Sequence, residues 1–181
     1  MNVLRCFSLV AGTVWLATQL PAADAPKLDP HLEPLRPFLG KTWKGHFKNS
    51  TPEKPVVDVS QWERALNGQA VRILHSVNNG SYGGESIVTW DAAKKSIVYH
   101  YFTTAGFTTT GTMEVKEGRI HTHETVSGSG SAGGVTAVRS TQEIRPDGSF
   151  VVKTEYQKDG NWGPGREVVY QADPQARVIF K

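Results

Sequence analysis

From Thr42 onward, apolar residues recur at about every second position, in short runs separated by turn-forming pairs. Alternation of period two sends successive side chains to opposite faces of an extended chain, so each run reads as a half-buried β-strand. Ten strands are expected, at 42–48, 56–66, 69–77, 84–90, 96–103, 107–115, 119–126, 135–144, 150–158 and 162–171. Asn67-Gly68, Asn79-Gly80, Glu117-Gly118, Asp147-Gly148 and Asp159-Gly160 lie between consecutive runs. Such pairs suit two-residue hairpins, whose central positions need positive φ. Strands joined this tightly are antiparallel neighbours.

Ahead of the strands, residues 29–39 (DPHLEPLRPFL) carry Leu32, Leu35 and Leu39 at helical spacing, with Phe38 beside them. Pro34 and Pro37 rule out a long helix, because each lacks an N–H and crowds the preceding turn. A short helical plug is expected. Ten strands in meander order with no helix between them predict an all-β fold: a single up-and-down antiparallel β-barrel of about ten strands, with a sandwich as the alternative. Closure removes exposed edges. Barrels of about eight strands hold side chains or one small ligand, and larger ones leave more room, so an interior cavity is expected.

The first residues change the picture. Arg5 is followed by an uncharged apolar run from Cys6 to Leu20, and then by Pro21-Ala22-Ala23-Asp24-Ala25. This is the pattern of a cleaved signal peptide, with the cut after Ala22, Ala23 or Ala25. The run falls short of the roughly 20 residues a membrane-crossing helix needs. The expected organisation is a signal peptide at 1–23, an N-terminal segment with the short helix at 24–39 and a barrel domain at 40–181. A periplasmic or secreted location follows, with no membrane span after cleavage.

Of the 181 residues, 38% are hydrophobic and 20% charged, as in one globular domain. The one cysteine, Cys6, lies within the segment to be removed. A mature chain without thiols has no cysteine nucleophile, no thiolate metal site and no disulfide framework. The formal net charge is +3 and the basic residues are scattered, which argues against nucleic-acid binding.

The stretch Leu35-Arg36-Pro37-Phe38-Leu39-Gly40-Lys41-Thr42-Trp43-Lys44-Gly45 resembles the opening of calycin-like barrels, where a short helix runs into a Gly-x-Trp signature on the first strand. Here two residues separate Gly40 from Trp43 instead of one. Trp62, Leu66-Asn67-Gly68, Trp90-Asp91 and Tyr101-Phe102 extend the likeness to an uncharacterised bacterial calycin-like family, a domain-of-unknown-function family, over nearly the whole mature chain. The resemblance implies a lipocalin-like or fatty-acid-binding-protein-like barrel and brings no established activity.

Candidate site residues come from the strand faces. Val71, Ile73, His75 and Val77 share one face, which sets His75 among apolar neighbours; a satisfied core histidine is the plainer account of it. In 96–103, Ile97, Tyr99, Tyr101 and Thr103 alternate with Val98, His100 and Phe102, and either set could face inward. Trp43 is expected in the barrel floor against the plug, with Arg139 packed over it as in lipocalin-like proteins. The candidate cavity lining is therefore Trp43, His75, Trp90, Tyr99, Tyr101 and Arg139.

His121-x-His123 could share a metal, but Arg119 and Thr125 on the same face mark it as solvated. No helical zinc spacing and no G-x-S-x-G elbow is present, so no catalytic residue and no metal ligand is assigned. The run Ser127–Gly134 reads as a flexible rim loop and a candidate lid. Three functions remain open: a barrel binding a small apolar or amphipathic molecule, with no cofactor; a haem-binding or enzymatic barrel using His75; and a structural envelope protein with a packed interior.

Overall fold

The computed structural model describes residues 27–128 and 130–181; the expected signal peptide lies outside them. A 3-10 helix, Pro30–Phe38, is followed by strands β1 (Lys41–Phe47), β2 (Val57–Ala65), β3 (Ala70–Val77), β4 (Tyr82–Asp91), β5 (Ser96–Thr103), β6 (Thr108–Lys116), β7 (Arg119–Ser127), β8 (Val135–Ile144), β9 (Phe150–Lys158) and β10 (Asn161–Ala172). Each strand pairs antiparallel with the next, and β1 pairs with β10, so the ten strands close into a barrel. The expected all-β up-and-down barrel is the observed fold. No helix among the described residues is long and apolar enough to cross a membrane.

The hairpins follow local chemistry. Asn79-Gly80, Glu117-Gly118 and Asp159-Gly160 each have positive φ at both positions, as tight turns matched to strand twist require. Asp147-Gly148 differs, with positive φ at Gly148 alone. There Asp147 Oδ1 accepts from the Ser149 N–H at 2.9 Å and hydroxyl at 2.6 Å, an Asx-type turn held by the side chain.

The plug is a 3-10 helix capped by Asp29, whose carboxylate accepts from the His31 N–H at 2.8 Å. Three residues per turn align Leu32, Leu35 and Phe38 on one face, and all three are buried. Phe38 completes this face, and Leu39, partly buried, packs against the core beside it. The Phe38 ring meets Trp62 at 5.0 Å and Phe150 at 5.2 Å, and Trp43 lies 5.3 Å from Phe150. These aromatics fill and close one end of the barrel, while hydrogen-bonding side chains gather towards the other.

Candidate functional site

The interior keeps a cavity of about 170 Å³. Its apolar wall includes Ile73, Val88, Met113 and Val152, and its polar wall includes Asp58, His75, Tyr101, Glu124, Arg166 and Tyr170. Period two delivers them: Asp58 shares its face of β2 with Ser60 and Trp62, and on β5 the inward set is Ile97, Tyr99 and Tyr101.

A chain of hydrogen bonds runs along the polar wall. Tyr170 Oη donates to Asp58 Oδ2 at 2.6 Å. Asp58 Oδ1 lies 3.0 Å from His75 Nδ1, His75 Nε2 lies 2.7 Å from Tyr101 Oη, and Tyr101 Oη lies 2.8 Å from Tyr82 Oη. With the imidazole neutral and Nδ1 protonated, donation runs from Tyr82 through Tyr101 and His75 to Asp58. Asp58 is only 1% exposed, so a carboxylate there depends on these donors. Burial pushes the Tyr101 and Tyr170 phenols well above their usual range and keeps them as O–H groups. Gly84 and Gly45 make room for these rings: a Cβ at Gly84 would sit 2.4 Å from the Tyr101 ring, and one at Gly45 would sit 2.5 Å from that of Tyr170.

Beside this chain, Glu124 accepts from the Thr109 hydroxyl. Burial raises its carboxyl above the ordinary value, against the opposing effect of its hydrogen bonds from Thr109 and Tyr99. Arg166 enters from a β-bulge. The pairing of β10 with β9 slips between Pro164 and Glu167, and the Thr154 hydroxyl ties the opened backbone by accepting from Arg166 N–H at 2.7 Å and donating to Arg166 C=O at 3.0 Å. A bulge re-aims its side chains, and here Arg166 borders the cavity. Its Nε is buried without a hydrogen-bond partner among the described residues. The residue as a whole is half-buried, and its guanidinium stays charged at all physiological pH.

Of the six expected lining residues, His75, Tyr99 and Tyr101 border the cavity. Arg139 does not, which corrects the expectation that it flanks Trp43. The alternation of β8 turns Val138, Ser140 and Gln142 to the cavity and Arg139 outward, where its Nε donates to Glu155 at 2.7 Å and its guanidinium lies 4.5 Å from the Trp162 ring centroid. The cation over Trp43 is Lys41, at 5.2 Å. Trp43 is buried in the aromatic floor and does not border the cavity. Trp90 stacks on His31 of the plug at 3.8 Å, which places it too at the closed end.

His121 and His123 are exposed on the outer face, with His123 5.9 Å from Trp162. No group of three or more potential metal ligands occurs among the described residues. The residues that sequence reading missed are Asp58, Tyr82, Glu124, Arg166 and Tyr170. For Arg166 a signal existed: Gly163-Pro164-Gly165 interrupts a strand pattern, and proline within a strand marks an edge or a bulge.

No family model matches the chain, and no curated protein matches it. The fold is similar to that in the crystal structure of Rv2717c from M. tuberculosis, with a TM-score of 0.59 and 16% sequence identity, over 81% of this chain and 99% of that one. That likeness shows a shared barrel architecture.

Proposed function

We propose that this protein is an exported barrel of the calycin-like group it resembles in sequence, and that it binds a small amphipathic molecule in its interior. One observation carries the reading: a cavity of about 170 Å³ is lined by apolar side chains together with positioned polar groups. Ligand sites are mostly apolar, with a few placed polar groups that fix orientation. A barrel packed solid would leave no such space.

The size indicates a small occupant. Drug-sized ligands take roughly 300–1,000 Å³, whereas a cavity of about 150 Å³ accepts benzene. The same size weighs against the haem alternative, as does His75 itself, whose Nε2 is engaged by Tyr101 and whose Nδ1 is engaged by Asp58. An enzymatic use of His75 has no support beyond that Asp58–His75–Tyr101 contact.

The probe that tests the reading is p-cresol, an amphipathic ring of suitable size, titrated by NMR into the mature protein and into Val138→Phe. Val138 borders the cavity and makes no side-chain hydrogen bond, so phenylalanine fills space without breaking the network. Saturable binding to the wild type, lost in a folded Val138→Phe variant, is the expected result. No binding at millimolar p-cresol, or equal binding by both proteins, would overturn the proposal.

A further inference from the structure

The arginines of this chain divide into two kinds. On the outer surface, Arg72, Arg119 and Arg139 meet the carboxylates of Glu85, Glu143 and Glu155 at 2.8, 2.7 and 2.7 Å. Every other arginine among the described residues except one also reaches a carboxylate or carbonyl oxygen. The exception is Arg166, which has no carboxylate within 4.0 Å and no side-chain hydrogen bond, although it is the arginine whose Nε is buried. Among the described residues, the outer arginines are thus paired where water screens them, and Arg166 beside the cavity makes no close ion pair.

The two inward carboxyls beside this space act on Arg166 only at longer range, without a hydrogen bond or a close ion pair. Asp58 is taken up by Tyr170 and His75. Glu124 is hydrogen-bonded by Thr109, and its burial favours the neutral form. The position of Arg166 is also rigid: a Cβ at Gly165 would lie 2.5 Å from Thr154 Oγ1 and 2.9 Å from its carbonyl oxygen, so the bulge closes tightly on Thr154. A planar guanidinium bordering a cavity, carried on a backbone that the bulge holds, is a receptor for a carboxylate, which it can grip with two parallel hydrogen bonds.

We infer that the interior site binds a small organic monoanion, a carboxylate on an apolar body, with Arg166 as its charge partner. The inference rests on the cavity being a ligand site and adds the charge of the ligand. A monoanion fits better than a dianionic phosphate, because Arg166 is the one arginine or lysine among the residues that border the cavity. The apolar body would lie against Ile73, Val88, Met113 and Val152.

Benzoate and benzamide differ little in shape and differ in charge, so their affinities for the wild-type protein decide the point without any variant. At low ionic strength and neutral pH, benzoate should bind roughly tenfold or more tightly than benzamide, the scale of a hydrogen bond to a charged group. It should also shift the Arg166 Nε–H resonance in a nitrogen-detected titration. Arg166→Gln should abolish the preference, and Arg166→Lys should keep part of it. If Arg166→Gln does not fold, the wild-type ratio and the Arg166 resonance carry the test. Equal affinities for the two probes in a protein that binds p-cresol would overturn the monoanion assignment and leave the cavity reading standing. Failure to bind benzoate, benzamide and p-cresol would overturn both.

Discussion

The two ends of the barrel solve the same problem, filling the inside of a closed sheet, by opposite means. At the plug end, Phe38, Trp43, Trp62 and Phe150 pack ring against ring, and Trp62 and Phe150 form the cavity's floor. Burial of apolar surface has no preferred direction, so close shape is enough. This end even tolerates the indole N–H groups of Trp43 and Trp62 without partners among the described residues, at about 1–3 kcal/mol each. At the other end, the groups are Asp58, His75, Tyr82, Tyr101 and Arg166, and each needs a partner at a set distance and angle. Satisfying those directions leaves space. Rigidity at one end supports a polar cavity at the other, and Phe150 joins them by stacking on Tyr170 at 5.2 Å.

Breaking the packed end should have the largest effect. Phe150→Ala removes the ring shared by Phe38, Trp43, Trp62 and Tyr170, and should cost about 3–5 kcal/mol in urea denaturation. A cost near zero would mean that the floor repacks and that the contrast between the ends is false. Asp58→Ala attacks the polar end by leaving the Tyr170 hydroxyl and the His75 ring without their acceptor, at about 1–3 kcal/mol for each group left unsatisfied. Asp58→Asn should recover part of that loss. If the two variants were equally stable, acceptor geometry would not be what holds this wall together.

The smallest effect sharpens the comparison through pH. Because burial lifts the Glu124 carboxyl above its ordinary value of 4.5, the folded protein keeps this proton over a range in which the unfolded chain has lost it. Stability then falls as pH rises from about 4.5 to the raised value, and stays lower above it. Glu124→Gln removes the titration, so it should gain on the wild type across that window and show little gain below it. Denaturation curves at acidic and neutral pH measure the difference. A gain of equal size at both would show that the carboxyl does not titrate in this window.

The architecture was legible from local pattern. All ten expected strands are present with ends within two residues, and four of the five turn pairs have positive φ at both positions. The candidate site was legible in part. His75 lies on a face whose apolar neighbours mark it as inward, and Tyr99 and Tyr101 belong to one of the two faces left open on β5. On β8 the alternation sets Val138, Ser140 and Gln142 against Ala137, Arg139 and Thr141, and neither set is plainly apolar. The inward place expected of Arg139 came from the likeness to lipocalin-like barrels, and this alternation offered nothing against it, although the residue pairs with Glu155 outside.

Strand, turn and plug positions were written in neighbouring residues, because backbone sterics and two- or three-residue periodicity act over a few positions. The polar wall depended on closure. Asp58 and Tyr170 are 112 residues apart and meet because β1 pairs with both β2 and β10. Arg166 borders the cavity because a bulge against Thr154 re-aims it. Hydrogen bonds between distant strands depend on register and barrel geometry, which no single stretch of the chain contains.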